Sequence, residues 1–451
     1  MQNLSESRVA LPTDLNLTPK AQSVVANSKR INITPLNNTT WNPGDAIMFD
    51  FPCNRSCTYL NGQETALMIK VKNNDADIMF IDHNAASFIQ RVDIYSAGQL
   101  LETIDNYSVL YAALLDVQNG PMERCTYLNL LMGTDNDTAN NTANISRGGA
   151  NLAAGSTTTF YIPIISGVIG SALGRYLPLC DIAELKVVVT LAAAALPVIY
   201  NTASPTTWTI VGSEFVITTV QLDPGVDRML HDSHGGPIVL STESWRNFNT
   251  ILANGGSSDT ILIPIKPISA KTLLATYRLS ANLTSFLCQS TSGRVNPFSN
   301  VPNGSSFQLL CGSTYVPQKP IINGSPELAL ELLKSFHGLG NVNSKSMITA
   351  ANYEVIGNPG TALTAASVTQ SNYNAYVRAT GSFIAGLNLD IFSGQSSKSM
   401  AGLNLSIGNS FVIQSYKSGT TLTGQTRFDG FLHYDMLLVI DPSTKQISFK
   451  M

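Results

Sequence analysis

Two distant stretches of this chain repeat at one spacing. In NYSVLYAALLDVQNG and SPELALELLKSFHG, Leu110 falls on Leu328, Leu114 on Leu332, Leu115 on Leu333 and Gly120 on Gly338, an offset of 218 residues. The same offset returns about a hundred residues later. VGSEFVITTVQLDP matches DGFLHYDMLLVIDP, with Gly212 on Gly430, Asp223 on Asp441 and Pro224 on Pro442. Between these anchors Val216, Thr218, Val220 and Leu222 fall on Tyr434, Met436, Leu438 and Ile440, positions that share one strand face. One match of this kind is weak, but two at one offset point to a duplicated architecture. Dividing 451 residues by a typical domain length suggests about three domains. The repeat makes it two copies of about 218 residues plus an arm.

The local pattern is short alternating runs broken by Gly, Asn, Ser and Pro. Ile47, Phe49 and Phe51 share a face, as do Ile261, Ile263 and Ile265. In KTLLATYRL, Leu273, Ala275, Tyr277 and Leu279 face one way, with Thr276 and Arg278 opposite. Period-two alternation predicts half-buried strands. In the first half they are expected near 31–36, 44–51, 63–74, 88–97, 99–104, 157–165, 181–194 and 207–222. In the second they are expected near 237–253, 259–266, 271–281, 306–313, 315–322, 345–356, 383–392, 403–416 and 428–440. About eight strands per copy is the jelly-roll pattern, with strands paired into two packed sheets.

Each copy also carries one helix. Asn106 can cap the first, with Leu110, Leu114 and Val117 as its apolar stripe and Gly120 as its stop. The second has Ser325 as cap, Pro326 at its first position, Glu327 favouring the dipole, a stripe of Leu328, Leu332 and Phe336, and Gly338 as stop. LDPGVDRMLHDSHGG reads as a short helical linker. The expected organisation is therefore an all-β chain of two tandem eight-stranded jelly rolls, each with a short helix. It divides into an N-terminal arm (1–30), a first roll (31–222), a linker (223–236) and a second roll (237–451). Asn119 to Ser156, 283–305 and 357–375 are expected to be long exposed loops.

Composition narrows the function. Charged residues make up 13% of the chain and the net charge is −3. Such a chain lacks the basic footprint of a nucleic-acid-wrapping protein. A weakly charged polar surface suits a protein whose faces mostly meet neighbours. The N-terminus has no apolar core of signal-peptide length, and VVVTLAAAALPVIY is too short and too interrupted to span a membrane. The sequons at Asn38, Asn54, Asn144, Asn282, Asn303 and Asn404 are expected by chance in so Asn-, Ser- and Thr-rich a chain and, without a signal peptide, to carry no glycan.

No catalytic motif stands out. Cys53 and Cys57 form C-x3-C without a second pair, which argues against zinc and for free thiols among all six cysteines. His231-x2-His234 beside Asp232 lies in the linker without an evident third ligand, so a solvated or capping role is expected. His433 reads as a core or interface histidine, and Trp41, Trp208 and Trp245 as core anchors. SGQSSKS at 393–399 lacks the glycine a phosphate loop needs before Lys398. No nucleophile elbow and no paired-carboxylate motif is present. No catalytic, cofactor-binding or metal-binding residue is assigned, and no cofactor is expected.

The runs FIQRVDIYSAGQLLETIDNYSVLYAALLD, FYIPIISGVIGSALGRYLPLC and PGVDRMLHDSHGGPIVLSTESWRNF, in this order, resemble the major capsid proteins with a double jelly roll. These build tailless icosahedral double-stranded DNA viruses of the virophage, polinton-like and adintovirus type, and more distantly include adenovirus hexon. The resemblance covers roughly residues 30–451. It implies a homotrimeric, pseudo-hexameric capsomer that tiles the facets of the shell and does no catalysis. It further implies neighbouring capsomers, penton and minor capsid proteins as partners, an inner membrane or genome at the inner face without specific nucleic-acid recognition, and a location in the virion. The long loops become towers or inter-subunit contacts, and residues 1–30 an internal arm. Two other readings stand beside it: a viral scaffold protein of the same fold, and a two-jelly-roll protein that binds or hydrolyses glycans.

Overall fold

The computed structural model describes residues 25–135, 148–170, 173, 175–252, 258–298, 305–322, 326–336, 346–353, 381–391, 400–415 and 425–451. In the first half, β1 (Ala26–Ile33), β2 (Ala46–Asp50), β3 (Thr58–Asn73), β4 (Met79–Ile81), β5 (Ile89–Ser96) and β6 (Gln99–Asp105) lead to three helices. These are α1 (Tyr107–Gln118), α2 (Pro121–Cys125) and α3 (Tyr127–Met132). Then follow β7 (Asn151–Leu152), β8 (Thr157–Pro163), β9 (Tyr176–Pro178), β10 (Lys186–Leu191), β11 (Val198–Tyr200) and β12 (Trp208–Leu222). Helix α4 (Pro224–His234) joins the halves, with Asp223 accepting from the Gly225 amide at its start and Gly235 in the left-handed region at its end.

The second half begins with β13 (Ile238–Leu252), β14 (Ser258–Ile263), β15 (Ala270–Leu279), β16 (Ser306–Cys311) and β17 (Thr314–Ile322). Helices α5 (Pro326–Phe336) and α6 (Ala350–Tyr353) come next. The chain closes with β18 (Ala385–Asn388), β19 (Ser410–Ser415), β20 (Thr426–Asp441) and β21 (Gln446–Lys450).

Sheet order turns the duplication into topology. The first half pairs β1-β12-β3-β8 in one sheet and β2-β10-β5-β6 in the other. The second pairs β13-β20-β15-β18 and β14-β19-β16-β17. With the eight principal strands of each half counted in chain order, both halves read 1-8-3-6 and 2-7-4-5. That is the jelly roll, two antiparallel sheets in which neighbours in space are seldom neighbours in sequence. The expected first-half strands correspond one for one to these eight, and Ile47, Phe49 and Phe51 point into the core as their alternation predicts. Phe215 meets Phe49 edge-on at 4.6 Å. In the second roll Tyr277 packs against Phe298, Phe383 and Phe428. Trp41, Trp208 and Trp245 are all buried, and one continuous apolar cluster runs through both rolls.

Several expectations fail for identifiable reasons. The described part of 345–356, residues 346–353, holds no strand. Thr349 and Asn352 exchange side-chain-to-amide hydrogen bonds that start α6 instead. Asn119 to Ser156 is not structureless, since it contains α2, α3 and β7, while residues 136–147 lie outside the described residues. Within 283–305, every residue from Cys288 to Phe298 is buried, so this part is no exposed loop. Residues 26–30, expected in the arm, belong to the first roll, because β1 pairs with β12 from Ala26 onward. Gly120 does not stop α1, whose end is Asn119; it starts α2 in an extended conformation. Ser325, Gly338, 357–375 and 393–399 lie outside the described residues.

Candidate functional site

The residues that distinguish this chain from two independent rolls lie in the seam between them. Asp116, in the last turn of α1, is fully buried. One carboxylate oxygen takes Arg124 Nη1 at 2.8 Å and His83 Nε2 at 2.8 Å, and the other takes Arg294 of the second roll. The Asp116 carbonyl accepts from the Met347 amide and the Ser346 hydroxyl, also of the second roll. A carboxylate without solvent is costly unless its lone pairs are filled, and here charged donors fill them.

Three further buried acids repeat the device. Asp82 accepts from Ser292 Oγ at 2.5 Å and from the Thr291 amide at 2.7 Å. This pulls the 288–298 segment onto the first roll and accounts for its burial. Glu102 accepts from the Gly167 amide at 2.9 Å and from the hydroxyls of Ser166 and, across the seam, Ser244. Burial raises the Glu102 carboxyl above its ordinary value, while these three donors act the other way. Asp429 takes Arg278 through Nε at 3.0 Å and Nη2 at 2.8 Å, with Arg427 on its other oxygen.

Asn106 stands at the N-cap of α1 as expected, in the left-handed region at φ 47°, but caps through its carbonyl, which accepts from the Val109 and Leu110 amides, and not through its side chain. Its side chain instead donates to Asn247 at 2.8 Å and accepts from Arg427 at 3.2 Å. The Asp429 partner also explains why Arg278, expected on the solvent side of β15, is buried: both faces of that strand are covered.

A cavity of about 490 Å³ opens in the seam between α1 and the β13–β20 sheet, with Tyr111, Leu115, Glu243, Trp245, Phe336 and His433 in its wall. His433 stacks on Trp245 with ring centres 4.3 Å apart and lies 3.1 Å from Glu243. It is thus the interface histidine its sequence position suggests. His433 and Lys271 together hold the Glu243 carboxyl down at about 2 against the opposing effect of burial.

The other residues singled out by sequence disperse. All six cysteines are free, and the C-x3-C pair divides its contacts. Cys53 lies near Asp50 and Glu184, its thiol pushed up to about 12 mainly by burial, whereas Cys57 faces Asp227. His231 is a quarter exposed and sits between Asp181 and Asp227. Only the helices and the strand order were legible in sequence; the four buried acids carried no motif that could have found them.

No protein-family model matches the sequence, and no curated protein matches it. Solved structures do match, over nearly the whole chain. VP54 of the virus PBCV-1, fitted into a reconstruction of the virophage Sputnik, superposes with a TM-score of 0.63 at 12% identity, covering 96% of this chain and 98% of that one. The Faustovirus major capsid protein gives 0.57 at 8% identity, covering 96% and 93%. The mavirus major capsid protein gives 0.51 at 12% identity, covering 99% and 96%. The chain has a double jelly-roll fold. In particular, it has the fold of these viral major capsid proteins.

Proposed function

We propose that this chain is a major capsid protein of a tailless icosahedral double-stranded DNA virus, acting as a homotrimeric building block of the shell. The observation that carries the proposal is an asymmetry between equivalent helices. In α1 every residue from Tyr107 to Val117 is buried, packed by β5 and the 85–88 turn of its own roll and met at Asp116 by Arg294, Ser346 and Met347 of the second. In α5, at the equivalent place, only Leu328 and Leu332 are buried, while Leu330 and Leu333 are exposed. A second copy can cover the exposed side of α5 with its own first roll. Such a contact is head-to-tail, and a head-to-tail contact that closes makes a ring. Three copies then place six similar rolls around a three-fold axis, an outline that tiles a flat facet.

The role proposed is structural, not enzymatic, with neighbouring capsomers, penton and minor capsid proteins as partners and the virion as its location. The cavity residues fit a catalytic reading poorly. Glu243 is held ionised by His433 and Lys271, the wrong state for the general acid of a glycosidase. Purified protein examined by native mass measurement and electron microscopy tests the proposal. The expected species is three times 48.3 kDa, or a larger assembly of such units, with a hexagonal outline. A chain that stays monomeric at micromolar concentration contradicts it.

A further inference from the structure

Three segments converge at one end of β3. Cys57 immediately precedes that strand and Tyr59 lies in it. Strand β9 pairs beside it, Tyr59 opposite Pro178, and leads into the turn that carries Cys180 and Asp181. Helix α4 contributes Asp227 and His231, four residues apart and so on one face. The Cys180 sulfur, a carboxylate oxygen of Asp227 and a ring nitrogen of His231 all lie within 4.8 Å of one another, each residue half-buried.

We propose that Cys57, Cys180, Asp227 and His231 form a zinc site that clamps the linker helix to the first roll. Tetrahedral zinc, with bonds of about 2.0–2.3 Å, holds its ligand atoms roughly 3.3–3.7 Å apart. Closing Cys180, Asp227 and His231 onto an ion therefore takes side-chain shifts of about 1 Å, and Cys57 turns further to join them. Thiolate, imidazole and carboxylate together select zinc over calcium or magnesium, which take oxygen ligands.

The surroundings of His231 supply an independent argument. Its Nε2 lies 2.8 Å from Asp181 Oδ2, the carboxylate-to-histidine contact that orients a metal-bound imidazole from behind. Its Nδ1 lies 3.8 Å from Asp227 Oδ1 and 2.8 Å from the Asp227 carbonyl oxygen. Tyr59 donates to Asp227 Oδ1 at 2.6 Å and fixes that carboxylate. The Cys57 thiol lies close enough to Asp227 to be raised by that carboxylate, after burial, which makes it the nearby candidate for the fourth donor. On binding, both thiols lose their protons to solvent and their sulfurs become ligands, with no change of oxidation state.

The donors come from both motifs that looked incomplete in sequence. His231 meets Asp227 and Cys180, and Cys57 neighbours Asp227. The four ligands span 57 to 231, so no local spacing announces them.

Full-length protein equilibrated with zinc chloride and then dialysed is expected to retain one zinc per chain. Cobalt(II) in its place is expected to show the strong visible bands of tetrahedral coordination and a thiolate charge-transfer band. Cys180→Ser and His231→Gln are each expected to weaken zinc binding about 10- to 100-fold, and Cys180→Ser to halve the charge-transfer band. Cys53→Ser leaves both unchanged. The cobalt spectrum of the unaltered protein keeps the test valid if a variant folds poorly. Zinc absent after dialysis, cobalt bound without a charge-transfer band, or zinc binding indifferent to both ligand substitutions would each overturn the site.

Discussion

Leu115 and Leu333 stand on the same turn of equivalent helices, 218 residues apart, yet Leu115 is 7% exposed and Leu333 43% exposed. Ala112 and Leu330 differ in the same sense, 0% against 37%. The first helix is buried along its whole length, while the second keeps one side exposed.

That relationship makes Leu333 the most direct test of assembly. Leu333→Asp places a charge where an apolar contact forms between copies. It is expected to cost about 2–4 kcal/mol per contact and to leave a folded monomer. Sedimentation of the variant beside the parent measures it; unchanged trimer would place the contact elsewhere.

Asp116 is expected to be among the costliest side chains to remove. Asp116→Ala leaves the guanidiniums of Arg124 and Arg294 in a solvent-free seam without their shared carboxylate. Breaking a buried pair from one side costs about 3–5 kcal/mol. Urea unfolding reads the loss directly, and a change under about 1 kcal/mol would mean that the seam relaxes or hydrates.

Gly212 and Gly430 align in the repeat but should respond differently to alanine. A Cβ at Gly430 would lie 2.4 Å from the Phe248 ring, inside the second core. At Gly212 it would meet only the Lys70 side chain, at 3.2 Å. Gly430→Ala is expected to destabilise by about 1–3 kcal/mol, and Gly212→Ala to change stability by under about 0.5 kcal/mol. Thermal melts of the two single variants decide the matter.

Glu243 makes the seam sensitive to acid. Its carboxyl stays ionised down to about 2 in the folded chain, against an ordinary value of 4.5. Its stabilising contribution is therefore complete above about pH 4.5 and fades as pH falls toward 2. Because the side chain is 38% exposed, solvent screening limits the effect to about 1 kcal/mol. Glu243→Gln should remove this part of the acid dependence, seen as a flatter stability profile between pH 4.5 and 2.

The strands were largely legible because alternation is a local property. A residue's neighbours two positions away report which face it occupies, and IMFDF and KTLLATYRL could be read that way. The 345–356 segment shows the limit: its alternation was overruled by a helix start at Thr349. Asn106 shows another, since a side chain suited to capping bonds Asn247 and Arg427 instead. The aligned faces of the repeat also hid a difference. Tyr434, Met436 and Leu438 are buried, while Val216, Thr218 and Val220 are half-buried on the side away from Phe215 and Ile217.

By itself the sequence determined the strand pattern, the two helices, the linker and the duplication, all of which depend on spacing along the chain. Tertiary structure alone decided which helix is buried along its length, which acids are buried, and that 288–298 fills the seam. Those outcomes rest on partners such as Asp82 and Ser292 or Asp116 and Arg294, 210 and 178 residues apart. Burial and charge pairing are properties of the assembled surroundings, and a single stretch of chain carries no record of what will pack against it.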